Sequence, residues 1–308
     1  MASLLLFPRK IAIVFTGMLL ALVITFAGGP GLVNPPAPEN ADTLVSQFSI
    51  FSDVHMETFE TYRYRGFADC LRGVPRENNT LVLLGDNTMN GQTTEYLGLY
   101  GLLNLYGPKS LVVAPGNHDV RINYMMGGTD TIEKGNQRHM DFYGSFTNTK
   151  LDNPYYSKQI SGATLIVVAN EQAVEGEGAY FSEAQMQWLT SAVEKASDER
   201  IFVFSHDPLP GTFGQSFYSS ADSSFMNQLL ASHGDAYFVS GHIHPTVAGV
   251  RFIDRGTHKL VLAPALMSGQ DHHSYGLGFH VEIYDDEVLF RLRDFSKGEW
   301  IDGKAFRF

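Results

Sequence analysis

Asp53 and His55, one residue apart, begin a series of five short stretches whose side chains could act together. The stretches are Phe51-Ser-Asp-Val-His55, Leu84-Gly-Asp-Asn87, Gly116-Asn-His-Asp119, Ser205-His206 and Gly241-His-Ile-His244. They supply carboxylates at Asp53 and Asp86, an amide at Asn117, and imidazoles at His55, His118, His206, His242 and His244. Mixed nitrogen and oxygen donors of this kind suit divalent Mn, Fe, Zn or Co without choosing among them. In strictly extended backbone, alternate residues face the same way, so Asp53/His55 and His242/His244 each make a chelating pair. Asp86 offers two oxygens, and one carboxylate can bridge two ions while reducing their repulsion. Two ions about 3.5–4 Å apart lower the pKa of a water and clamp both oxygens of an in-line displacement. A lone histidine beside a strand is ordinarily a satisfied, partly buried side chain. A core does not gather this many ionisable groups at strand ends without partners, so the stretches are read as one constellation.

The elements that must position these residues are short apolar runs, each ending in one of the stretches: 48–52, 80–84, 110–114, 201–204 and 236–239. They are rich in β-branched and aromatic residues, as strands buried on both faces are. Helical patterns fall between them at roughly 60–72, 93–106, 182–196 and 219–232, and Ser182-Glu-Ala-Gln185 has the form of a capping box. Residues 154–169 and 247–293 read as strand-rich, and 121–153 as a loop and helix that overhang the site. This alternation predicts an α/β sheet with its ligands collected at the carboxyl ends of the strands.

The ordered set resembles the calcineurin-like metallophosphoesterase superfamily from Asp53 to His244, with Gly-Asn-His-Asp and Gly-His-Ile-His its most specific members. The resemblance implies a four-layer α/β/β/α sandwich with two mixed sheets and a dinuclear metal site at the carboxyl ends of the strands. It implies a first divalent ion held by Asp53, His55, Asp86 and His244, and a second by Asp86, Asn117, His206 and His242. A hydroxide between them would attack a phosphoester. His118 would assist the leaving group, with Asp119 holding its other ring nitrogen. Asp207 either backs His206 or begins the following Pro-rich loop. Asn90, Arg121, His272 and His273 are the expected substrate contacts, and the remaining histidines (His139, His233, His258 and His280) are expected to be structural.

Two departures narrow the branch. Purple acid phosphatases carry Asp-x-Gly in the first motif and Tyr three residues after the bridging Asp, where this chain has His55 and Met89. A tyrosine-ligated ferric ion is therefore not expected. The loops at 85–91 and 116–121, with 181–189, look more like the branch of cyclic-nucleotide phosphodiesterase-type enzymes. No separate cap segment is evident between the motifs, which favours a phosphodiester or lipid-linked phosphate over a tightly enclosed monoester. The alternatives are a phosphomonoesterase and a non-catalytic, metal-stabilised surface binding protein. The second would show a missing ligand or a missing His118, and neither is missing.

Of the 308 residues 44% are apolar, enough for one large domain, expected over 44–308. Arg9 and Lys10 precede an apolar run from Ile11 to Ala27, followed by Gly- and Pro-rich residues. That order predicts an N-terminal signal peptide or membrane anchor over 1–28 and a linker over 29–43, with the body outside the cytoplasmic membrane. Cleaved signal and retained anchor both stay open, and the chain can meet a membrane through residues 11–27. The single cysteine, Cys70, rules out an internal disulfide and is expected to be a small buried hydrophobe. The net charge of −11 argues against nucleic acid, so a phosphate-bearing partner must be drawn by bound metal.

Overall fold

The computed structural model describes residues 2–26, 35–120, 131–171, 180–214, 220–245, 247–268 and 274–308. In chain order the first half runs α1 (Ala2–Phe26), β1 (Leu44–Phe51), α2 (Thr61–Arg72), β2 (Thr80–Leu84), α3 (Thr93–Tyr106), β3 (Ser110–Ala114), α4 (Asn117–Val120) and α5 (Ile132–Thr147). Then follow β4 (Tyr156–Ile160), β5 (Ala163–Val167), α6 (Glu183–Lys195), β6 (Arg200–Phe204), α7 (Ser220–His233), β7 (Ala236–Ser240), β8 (Arg251–Asp254) and β9 (His258–Leu262). The chain closes with β10 (Met267–Ser268), β11 (Ser274–Tyr275), β12 (Leu277–Tyr284), β13 (Val288–Asp294) and β14 (Glu299–Arg307).

One six-stranded sheet has the order β14-β13-β12-β1-β2-β3 and the other β4-β5-β6-β7-β9-β8. Strands β1, β2 and β3 are parallel, as are β5, β6, β7 and β9. The C-terminal meander β12-β13-β14 adds antiparallel strands beside β1. Phe48, Ile50, Val82 and Leu84 of the first sheet meet Val167, Phe202, Phe204 and Val239 of the second in a shared interior. Helices α2, α3 and α5 cover the outer face of the first sheet, and α6 and α7 that of the second. This is the expected four-layer arrangement. The runs that end in the site are buried on both faces because each sheet has an interior on either side.

Local chemistry sets the helix ends. Ser182 Oγ accepts from the main-chain nitrogen of Gln185 at 3.1 Å and starts α6. The Gln185 side chain turns away to bridge Ala169 and Glu171, so only half of the expected box forms. At α3 the box is complete and is built by Gln92 and Glu95. The loop part of the expected overhang, 121–130, lies outside the described residues, and helix α5 lies against α4 at Gly135. It packs into the core beneath the first sheet through Phe142 and Tyr143. Cys70 is fully buried in α2, and burial pushes its thiol pKa up.

The N-terminal helix lies against the body. Ile13 and Ile24 of α1 join the cluster formed by α2, α3 and α5. Among the described residues no helix is long and apolar enough to cross a membrane.

Candidate metal centre

Asp53, Asp86 and Asn117 follow the parallel strands β1, β2 and β3, and His206 and His242 follow β6 and β7 in the facing sheet. Parallel strands in two facing sheets thus deliver residues far apart in sequence to one edge of the sandwich. Asp53, His55, Asp86 and His244 form one cluster whose ligand atoms lie within 4.8 Å of one another, and Asp86, His206 and His242 form a second. Asp86 belongs to both. Its Oδ2 is 3.7 Å from His55 Nε2 and 3.1 Å from His206 Nε2. His244 Nε2 lies 2.9 Å from Asp53 Oδ1 and 3.1 Å from His55 Nε2. On the other side, His242 Nδ1 is 3.0 Å from Asn117 Oδ1 and 3.2 Å from His206 Nε2. Buried lone pairs aimed at one another repel unless a cation or proton sits among them. Asp53 Oδ1 is buried without a hydrogen bond of acceptable geometry. The donor set therefore fits two divalent ions sharing Asp86.

The chelating pairs do not arise by strand alternation. Asp53, His55, Asp86, His242 and His244 all have left-handed backbone, with φ of 56°, 47°, 48°, 66° and 50°. Such conformations cost non-glycine residues of order 1 kcal/mol or more and persist only where the surroundings impose them. Here the β1 and β2 loops are laced together. Asp53 and His55 donate to the carbonyls of Gly85 and Asp86 at 3.1 and 2.8 Å, and Met56 donates to that of Asn87 at 3.0 Å. Gly85, at φ 90°, lets the His206 ring approach to where a Cβ would stand, 2.5 Å from its Nδ1.

Several partners carry no mark in the sequence. His206 donates its Nδ1–H to the Leu84 carbonyl at 3.0 Å, which leaves Nε2 free to face Asp86. Buried Arg63 donates to the His55 carbonyl at 2.9 Å, and Ser52 donates to Asp53 Oδ2 at 2.5 Å. Only Ser52 could have been suspected, from its place beside Asp53.

His118 lies next to the first cluster, its ring centroid 4.8 Å from that of His55. Asp119 does not hold the His118 ring. It turns into the protein and accepts from the main-chain nitrogens of Asn87, Thr88 and Gly116 and from the Asn87 and Thr88 side chains, at 2.7–3.1 Å. The His118 Nδ1–H goes to the Met89 carbonyl at 2.6 Å instead. Asp207 Oδ1 lies 3.9 Å from His242 Nδ1. Asn90, expected as a substrate contact, donates its side-chain Nδ2–H to Glu95 Oε1 at 2.9 Å and helps close the start of α3. Arg121, His272 and His273 lie outside the described residues. His233 and His258 are tied to Ala196 and Asn227, and His280 sits between Ser49 and Gln47. His139 is fully buried, and burial lowers its pKa to about 4.

Charge is divided sharply across the site. Burial acts to raise the Asp53 pKa, but His244 and His206 outweigh it and hold this carboxyl well below its ordinary value. Burial is likewise outweighed at Asp86 by His206 and His55. Burial drives His55 down to about 3 and, with the charge of His206, His242 down to about 4. At His206 and His244 burial is overcome by Asp86 and Asp53, and both pKa values are raised. Two ionised carboxylates and two neutral imidazoles are thus ready to ligate, while His206 and His244 hold their protons to higher pH than a free imidazole and must lose them to a cation.

A sequence model of the calcineurin-like phosphoesterase family matches residues 47–246, nearly two thirds of the chain and all five motif stretches. The chain belongs to that family. Among curated proteins no match was found. Solved structures share the fold at low identity. A dimetal phosphatase from Danio rerio superposes with a TM-score of 0.58 at 17% identity, covering 86% of this chain and 98% of its own. A purple acid phosphatase from yellow lupin, Lupinus luteus, gives 0.57 at 12% identity, covering 89% of this chain and 55% of its own. GAP50, the anchor in the inner membrane complex of Plasmodium, gives 0.53 at 15%, covering 85% and 87%. Family and site together make this chain a metal-dependent phosphoester hydrolase that uses two divalent ions.

Proposed function

We propose that the chain hydrolyses a phosphodiester in preference to a phosphomonoester, with His118 as the group that protonates the leaving oxygen. The observation that carries this is the openness of the site. His244 has a side chain 37% exposed beside fully buried Asp53. A ligand exposed at the mouth leaves room for a second ester arm, an acyl chain or a base, that a closed monoesterase pocket would reject. The loops at 85–91 and 116–121 favour the phosphodiesterase-type branch in the same sense.

When bound, two divalent ions lower the pKa of a water and neutralise charge on the phosphoryl oxygens. The protein's own part is positioning and proton transfer. His55, His206, His242 and His244 would hold the ions with Asp53, Asn117 and the shared Asp86. The Met89 carbonyl fixes one His118 proton at Nδ1, so Nε2–H of the protonated ring is the one available to a departing alkoxide. We place the body outside the cytoplasmic membrane, on the order of Arg9 and Lys10 before the apolar run.

Turnover of bis-p-nitrophenyl phosphate and p-nitrophenyl phosphate by the purified full chain with added Mn²⁺ tests the reading. Faster hydrolysis of the diester is expected. Preference for the monoester overturns the substrate class, and no turnover of either with both metal sites filled overturns hydrolysis itself.

A further inference from the structure

Helix α1 has two unlike sides. Its inner side is fitted to α3: Ile13 and Ile24 are 2% exposed, and Gly17 lies so close to Gly101 that a Cβ on Gly17 would stand 2.6 Å from the Gly101 oxygen. At one end Arg9 pairs with Asp141 at 2.7 Å, and Lys10 donates to Asn148 at 2.8 Å. The outer side carries Ile11, Phe15, Met18, Leu19, Leu22 and Val23, all between 45 and 70% exposed. Their spacing of three and four residues puts them on one continuous stripe. Apart from α1, the exposed large hydrophobic side chains are only Phe59 and Tyr180 among the described residues.

We propose that α1 stays on the mature protein and that its outer stripe seats the body on a lipid bilayer, lying in the plane of the interface. Three features select lipid. First, no residue from Ile11 to Phe26 carries a charge. A helix pair formed with a second copy flanks its apolar seam with charged positions that fix register, and here there are none. Second, the helix's only glycine, which would let another backbone approach closely, is already used inward against Gly101. Third, the stripe from Ile11 to Val23 is about 18 Å long, well short of the roughly 30 Å hydrocarbon thickness. Spanning the bilayer would also require α1 to leave α3, uncovering Ile13, Ile24 and the Gly101 face of a helix that is apolar all round. An interfacial helix keeps both contacts. Arg9 and Lys10 are already engaged by the body, and the chain is acidic overall, so attachment rests on apolar burial and needs no anionic lipid. This surface is independent of the hydrolytic reading.

Flotation of the full chain with pure phosphatidylcholine vesicles is the test. Binding is expected, and it should persist in about 1 M salt, where exposed charges are screened beyond about 3 Å. The double variant Phe15→Glu/Leu22→Glu should lose at least about tenfold in vesicle binding. Gly17→Leu, which forces α1 off Gly101, should lower the melting temperature of the body. Phe15→Trp gives a second readout, with fluorescence quenched by brominated phosphatidylcholine. Four results overturn the proposal: a wild-type chain that stays in solution with vesicles, or a mature chain that lacks α1. The others are a lipid-free dimer that Phe15→Glu/Leu22→Glu converts to monomer, or a Gly17→Leu variant with unchanged melting temperature, which would mean an undocked, spanning helix.

Discussion

His118 donates its Nδ1–H to the main-chain oxygen of Met89, 2.6 Å away. A carbonyl only accepts, so this contact fixes the neutral tautomer and leaves the opposite ring nitrogen to exchange a proton with a ligand. The device is main chain, and no side chain at position 89 could have announced it.

His118→Asn should therefore lower kcat on a phosphodiester by about 10²–10⁴-fold, the range for loss of a general acid. Metal content should not change, because the main-chain N–H of residue 118 still donates to Asp86 Oδ1 at 2.8 Å. Metal analysis beside the kinetics separates the two roles: a variant stripped of metal would make His118 a ligand.

Asp119→Asn should destabilise the protein and leave the shape of the pH–rate profile alone. The carboxylate takes five donors, two on Oδ1 and three on Oδ2. An amide places its NH₂ against one of those groups, so at least one buried main-chain donor loses its acceptor, at about 1–3 kcal/mol. A fall in melting temperature of several degrees, read by calorimetry, is expected. A shifted pH–rate profile with unchanged melting temperature would return Asp119 to the role of orienting the His118 ring.

The strands and helices were legible because apolar runs buried on both faces and helical periodicities depend on local composition. Helices at 61–72 and 93–106 fall within a residue of where periodicity puts them. The convergence of Asp53, Asp86, Asn117, His206, His242 and His244 followed from parallel strands ending on one edge. The backbone of the site was not legible. Left-handed φ at Asp53, His55 and Asp86 is imposed by hydrogen bonds between the β1 and β2 loops, and those depend on tertiary placement. Nor could apolarity alone assign α1, since an uncharged stretch such as Ile11–Phe26 suits a core, a lipid phase or, as here, a core on one side only.

Gly85→Ala should empty the second half of the site. The native φ of 90° is strained for alanine by about 1–2 kcal/mol, and the added methyl would stand 2.5 Å from His206 Nδ1. The ring must move, breaking its bond to the Leu84 carbonyl and turning Nε2 from Asp86. Metal analysis should show the stoichiometry fall from two toward one, with a loss of about 2 kcal/mol or more in stability. Two retained ions would mean that His206 is not a ligand.

Metal affinity should fall steeply as pH is lowered, and the sign follows from His206 and His244. Their carboxylate neighbours raise both pKa values, so in chelated protein both rings hold protons to higher pH than a free histidine does. A divalent ion takes the same lone pairs and must displace those protons. Below the raised values each displaced proton weakens apparent affinity about tenfold per pH unit, and the two together about a hundredfold. Above them the dependence should flatten. His55 and His242, held down to about 3 and 4, are already neutral across this range and add nothing to the slope. Titration calorimetry of chelated protein with Mn²⁺ in buffers of differing ionisation enthalpy measures the protons released. Release near two, falling toward one in His244→Gln, is expected, and release of none at a pH where both rings are protonated would remove them from the ligand set.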